Sequence, residues 1–214
     1  MSIQRSDSLK AQAYKIIKDD MLAGRIDRET VYSEQWFATR LQISRTPVRE
    51  AILQLRNEGL IEALPNRGIR IKKISIEEAR SLSQMRIAIE GYSAFYLAEH
   101  IGEAKFQKAV ENLEKIIAKS QKEYNRINGI QFHQEMVDCI CNSDFSKQYK
   151  AMRAKIDLFW DQCSHLDNRQ EASYKEHQAI LSCIKKGDGA AAFKSVNDHL
   201  EILIAILEKQ PSAD

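Results

Sequence analysis

Three histidines occupy positions that a solvated histidine would not. His133 is followed by Met136, Val137 and Ile140, His177 by Ile180, Leu181 and Ile184, and His199 by Ile202, Leu203 and Ile206. Each histidine therefore lies on the apolar stripe of its own helix, at spacings of three, four and seven residues. Three inward imidazoles on three helices can meet in the middle of a bundle. There they offer nitrogen ligands to a divalent metal such as zinc, nickel or manganese, or hydrogen-bond donors to an anion. The plainer reading is three core histidines, each satisfied by a neighbouring carbonyl. Arg86, in line with Leu82, Ile89 and Glu90, is a further inward polar residue. It either pairs with Glu90 or binds a carboxylate effector through its guanidinium fork.

A second group of residues has a different chemistry. Val48, Ala51, Ile52 and Leu55 form one apolar helix face, while Arg45 and Arg49 stand a turn apart on another. Ser44 and Thr46 are placed to cap the helix or to meet phosphate, Pro47 falls in the first turn, and Gly59 ends the run. A helix whose N-terminal end bears arginine and hydroxyl groups fits the DNA major groove. There arginine reads guanine through two parallel hydrogen bonds, worth roughly 1–3 kcal/mol of discrimination.

The elements that must hold these groups follow from periodicity. Leu9, Ala13, Ile16, Ile17 and Met21 predict a first helix stopped by Gly24, and Ser33 caps a second with Phe37, Ala38 and Leu41 inward. Two short apolar runs, Leu60–Leu64 and Ile69–Ile74, flank Pro65-Asn66-Arg67-Gly68, which has the composition of a β-turn. Three helices and a hairpin make a winged helix-turn-helix. Asn66, Arg67 and Gly68 form the wing tip, which enters an adjacent groove or grips phosphate. Ser75-Ile-Glu-Glu opens the remainder as a capping box. Helices are expected over 76–100, 103–121, 128–141, 145–162, 171–186 and 189–208, an antiparallel bundle with no strand. The fold class is thus mainly α, with domains 1–74 and 75–214.

Charge divides the chain in the same place. Residues 1–74 hold 14 Lys+Arg against 9 Asp+Glu, a net +5, which leaves −3 for the rest of a chain whose formal charge is +2. Only the first part is suited to a polyanion. No run of 18 apolar residues and no leader-like N-terminus is present, so a cytoplasmic protein with no membrane partner is expected. The four cysteines form no C-x-x-C pair and are expected as reduced, mostly buried thiols.

The run S-R-T-P-V-R-E-A-I-x-x-L-x-x-E-G-L-I-E followed by P-N-R-G closely resembles the DNA-binding domain of GntR-family bacterial transcription regulators. The resemblance implies DNA contacts by Arg45, Thr46 and Arg49, with Ser44 near phosphate and Gly68 at the wing. Family members usually carry Arg or Lys straight after the glutamate that starts helix two; Gln35 stands there in this chain, which implies an altered base preference. F-H at 132–133, E-H at 176–177, His199-Leu200 and the Arg86/Glu90 pair resemble the all-helical ligand-sensing domain (FCD) of the FadR-type branch. That likeness implies a metal held by His133, His177 and His199, together with an aspartate four residues before His133. Gly129 occupies the aspartate position, and neighbouring Asn128 would point about 140° away from His133. A three-histidine site completed by water or effector and a metal-free pocket both stay open.

The function these features imply is a dimeric, DNA-binding transcription regulator, with repression expected. Its affinity for an inverted-repeat operator on double-stranded DNA would change when a small organic acid binds near Arg86 and the three histidines. Two alternatives are a metal-dependent hydrolase using the three-histidine site and a DNA-binding protein whose bundle only dimerises. No carboxylate stands at a recognisable spacing to serve the hydrolase as general base.

Overall fold

A computed structural model describes residues 8–65, 67–119, 121–162 and 169–208. Asn66 of the expected wing tip, Cys163 and His165 lie outside them. The chain forms two compact units, one comprising the described residues up to Ile74 with Ala154–Gln162, the other Ser75–Arg153 with the described residues from Arg169 onward. Grouping 154–162 with the first unit differs from a division made at Ile74 alone.

In the first unit, α1 (Leu9–Leu22), α2 (Glu34–Leu41) and α3 (Arg45–Asn57) precede the strands β1 (Ile61–Leu64) and β2 (Gly68–Ile71). The apolar face of α3 packs on α1, burying Val48, Ala51 and Leu55 completely against a core that includes Ala13, Ile17 and Met21. Each such aliphatic side chain contributes roughly 1.5–3 kcal/mol on burial. Ser33 caps α2 by accepting from the Trp36 amide. Asp20, nearly buried, accepts from Arg25 at 2.6 Å and from Arg40 at 2.9 Å, tying α1 to the end of α2.

The strands pair antiparallel, Ile61 opposite Ile71 and Leu64 opposite Gly68. A third segment, which the sequence pattern does not announce, joins them: Tyr32 and Ile69 exchange two backbone hydrogen bonds of 2.8 Å. Gly68 makes this possible. Its φ is +127°, and a Cβ there would stand 2.3 Å from the Tyr32 carbonyl oxygen.

In the second unit, Ser75 and Glu78 form the expected capping box at the start of α4 (Ile76–Arg86). The helix expected over 76–100 is interrupted by a π-helical turn at Ile87–Gly91 before α5 (Tyr92–Glu99). Ser93 donates to the Ile89 carbonyl at 2.7 Å within this widened stretch. Then follow α6 (Ala104–Ile117), α7 (Arg126–Asp138), α8 (Ser143–Gln162, of which 154–162 group with the first unit), α9 (Arg169–Lys185) and α10 (Gly189–Glu208), close to their expected ranges. Leu97, Leu113, Phe132, Met136, Ile180 and Ile184 lie fully buried at the centre. Cysteine burial differs from expectation. Cys139 and Cys183 are half-buried, Cys141 is exposed, and all three are free.

Gly68→Ala should strain the wing at both its backbone conformation and the Tyr32 contact. The expected loss is about 1–3 kcal/mol of first-unit stability, read from urea unfolding followed by Trp36 fluorescence.

Candidate functional site

His133 on α7, His177 on α9 and His199 on α10 converge, and all three are buried. Their Nε2 atoms form a triangle with sides of 3.0, 3.2 and 3.3 Å. Three nitrogens bound about 2.0–2.1 Å from one point and roughly 90–110° apart would be separated by about 2.9–3.4 Å, so the donor set fits a divalent metal such as zinc. The expected convergence is therefore present in the fold, from residues up to 66 positions apart.

The outward ring nitrogens are equally built. His199 Nδ1 lies 2.6 Å from Glu176 Oε2, and His133 Nδ1 lies 2.6 Å from Glu90 Oε2, although its N–H is not aimed along that line. His177 Nδ1 meets the Tyr124 hydroxyl at 2.5 Å. Carboxylates accept only, so they favour a proton on Nδ1 and leave Nε2 as a lone pair, the arrangement that metal-binding imidazoles use. Phe132 stacks on the His177 ring and fixes its plane.

Each carboxylate has its own arginine. Arg86 donates to Glu90 through Nε at 2.6 Å and a terminal nitrogen at 3.3 Å, and it also interacts with Tyr149. Arg169 donates to both oxygens of Glu176, at 2.6 and 2.5 Å. Of the two roles open to Arg86, the pair with Glu90 is formed, and the fork that an effector would use is directed at that carboxylate.

Burial raises the Glu90 carboxyl, but Arg86 and then His133 outweigh it and bring it down to about 2. Glu176 likewise falls to about 2, as Arg169 and His199 overcome burial. Burial lowers all three imidazoles, His177 furthest and His199 to about 4, so they are neutral and able to bind metal at pH 7.

The helix start explains Gly129 and Asn128. α7 begins at Arg126, and Asn125 and Asn128 form a capping box, so the Asn128 side chain is spent on the Asn125 amide. Gly129 does face the centre: a Cβ there would stand 3.3 Å from His177 Cε1. Tyr124, Glu176 and Arg169 carry no periodic signal toward the site. Tyr124 lies in a loop, and Glu176, adjacent to His177, points about 100° from it along the helix.

In the first unit, Arg45, Arg49 and Arg67 are exposed along a cleft of about 770 Å³ between α3 and the hairpin, which Gln35, Arg56 and Gly68 also line. Ser44 stands at the N-cap of α3 but makes no capping hydrogen bond. Thr46 is exposed. Arg45 lies 3.5 Å from Glu34, the first residue of α2.

A winged helix-turn-helix joined to an all-helical C-terminal bundle defines a two-part class of DNA-binding regulator. Comparison with known proteins agrees. The profile described as "Bacterial regulatory proteins, gntR family" matches residues 9–71, and that of the FCD domain matches residues 81–207. The chain belongs to the GntR family of bacterial transcription regulators, with an FCD domain as its C-terminal part. Among curated relatives, the HTH-type transcriptional repressor RspR of Escherichia coli K12 is 31% identical over 197 residues, covering 89% of this chain and 85% of that protein. The gluconate operon transcriptional repressor of Bacillus licheniformis is 22% identical over 85% of this chain and 77% of its own length. Among solved structures, a GntR-type regulator of Rhodococcus sp. RHA1 superposes with a TM-score of 0.78 at 18% identity, covering 96% of this chain and 100% of that one. E. coli McbR/YncC gives 0.72 at 16% identity, covering 96% and 99%. These likenesses fix the fold. The family and its relatives are regulators and not enzymes, which sets aside the hydrolase reading.

The titrating groups give the bundle an acid limit. His199 has its folded pKa below its unfolded value, so its contribution is complete above pH 6.5 and lost as the pH falls toward 4. Glu90 and Glu176, also depressed, lose theirs below the ordinary carboxylate range. In chelator, the urea midpoint should fall between pH 6.5 and 5 by the equivalent of about 2 kcal/mol for His199 alone. His199→Gln should flatten that slope; a pH-independent midpoint would refute the assignment.

Proposed function

We propose that this chain is a dimeric, cytoplasmic repressor whose operator affinity is set by a small organic acid bound at a metal centre in the FCD domain. The observation that carries the sensing part is the Nε2 triangle of His133, His177 and His199 with an acceptor group on each outward nitrogen. Those three residues would hold a divalent ion, zinc, nickel or manganese, which when bound supplies a Lewis-acidic point for a carboxylate. Charge balance supports an anionic effector. Arg86 with Glu90 and Arg169 with Glu176 are neutral as pairs, and the imidazoles are neutral, so a bound dication leaves buried positive charge. Gly129 brings no carboxylate to offset it.

The repressor reading is supported by the relatives in E. coli and B. licheniformis, both transcriptional repressors. On DNA, Arg45, Thr46 and Arg49 would meet base edges, Ser44 phosphate, and Asn66, Arg67 and Gly68 the adjacent groove. Among the described residues, no helix is long and apolar enough to cross a membrane. Two copies would present two recognition helices to an inverted repeat, and effector binding would favour one placement of them over the other.

Two measurements test this. Arg49→Ala and Arg45→Ala should each weaken operator binding by about 1–3 kcal/mol in a fluorescence anisotropy titration at fixed salt, leaving metal content unchanged. Mass spectrometry of untagged protein dialysed against metal-free buffer and resupplied with zinc, nickel or manganese should find about one ion per chain, lost in His177→Ala. An operator affinity unmoved by any metal or organic acid would leave a bundle that serves only to dimerise.

A further inference from the structure

The three ligands of the centre are not supported alike. Glu90 and Glu176 are carboxylates, which accept hydrogen bonds and never donate at neutral pH. Glu176 accepts from His199 Nδ1 at 2.6 Å, and the Glu90 carboxylate, 2.6 Å from His133 Nδ1 though not in line with its N–H, favours a proton on that nitrogen electrostatically, so both rings favour a lone pair turned inward. His177 instead faces a neutral phenol, Tyr124, at 2.5 Å. A hydroxyl can donate or accept, so two hydrogen-bond patterns are open to the triangle.

In one pattern Tyr124 donates to His177 Nδ1. His177 then carries its proton on Nε2, 3.0 Å from His133 Nε2 and 3.3 Å from His199 Nε2, and those two lone pairs accept it. The buried triangle is satisfied without an ion. In the other pattern the His177 proton sits on Nδ1 and is donated to Tyr124, and Nε2 joins its neighbours in presenting a lone pair. Three convergent lone pairs require a cation.

We propose that Tyr124 is the positioning residue of His177, and that the pair reverses its hydrogen bond when a divalent metal enters the three-histidine centre. His177 passes from the Nε2–H to the Nδ1–H tautomer by releasing the Nε2 proton to solvent and taking one from solvent onto Nδ1, so the number of bound protons does not change. The hydroxyl rotates from donor to acceptor. Tyr124 is 2% exposed and its ring lies 5.0 Å from that of Tyr174, so the phenol is fixed in place while its proton is free to turn. Gly129 packs closely on the pair: a Cβ there would stand 3.3 Å from His177 Cε1 and 3.8 Å from the Tyr124 hydroxyl. The inference rests on the metal reading of the preceding subsection.

The test is long-range proton–nitrogen NMR on the full chain with ¹⁵N-histidine, first stripped of metal and then with zinc alone. Single His→Gln variants assign the rings. The stripped protein should show His177 protonated on Nε2 and the other two rings on Nδ1, and zinc should bring all three to Nδ1–H. Tyr124→Phe should weaken zinc binding about 10–100-fold and release His177 from its fixed tautomer, with His133 and His199 unchanged. A merely structural tyrosine would lower the melting temperature and leave the tautomers as they were. His177 already protonated on Nδ1 in the stripped protein overturns the inference, as does a Tyr124→Phe variant that binds zinc like the parent. A parent chain that binds no zinc overturns the metal reading itself; zinc binding with no change of tautomer overturns this inference alone. Should the variant fail to fold, the parent's two spectra decide.

Discussion

Lone pairs on neutral nitrogens repel when they are aimed at one another across about 3 Å, and the second unit brings three imidazoles to that separation in a water-excluded core. Much of its polar interior answers that constraint. Glu90, on the π-helical turn, and Glu176, on α9, govern where two of the ring protons sit, and each carboxylate is in turn neutralised by an arginine. A buried carboxylate without such a partner would cost several kcal/mol or take up a proton. The centre is thus a set of paired charges around neutral rings, embedded in a shell of aliphatic and aromatic side chains.

The first unit works on the opposite principle. Its core closes between α1, α2, α3 and the hairpin, and Arg45, Arg49 and Arg67 stand in the open along the α3 cleft. Arg45 rests near Glu34 at 3.5 Å, with both side chains partly exposed. A pair of that kind is worth at most about 1 kcal/mol and yields readily to phosphate or guanine. Ser44, with no capping bond of its own, leaves the amides at the α3 N-terminus available to an anion.

The three-histidine centre and the arginine-lined cleft therefore lie in separate units, with the GntR and FCD profiles matching separate stretches of the chain. The departure at Gly129 takes a carboxylate away from the centre without disturbing the helix that carries His133, because the α7 start is secured by the reciprocal Asn125–Asn128 cap. The cap also directs the Asn128 side chain to the Asn125 amide and away from the histidines.

Sequence by itself determined the elements and the three inward histidines. Helical period, Ser33, the Ser75 capping box and the glycine stops are local signals, read from residues within a turn of one another, and the apolar stripe fixes which face of a helix turns inward. It also placed Gly129 on the face of the missing aspartate. Tertiary structure alone decided which groups meet across helices. Tyr124 comes from a loop with no periodicity, Glu176 reaches His199 on the next helix from a face off its own stripe, and Tyr32 joins the hairpin from the loop before α2. Such contacts depend on the distance between segments far apart in the chain, which packing of the whole core sets and no local pattern encodes.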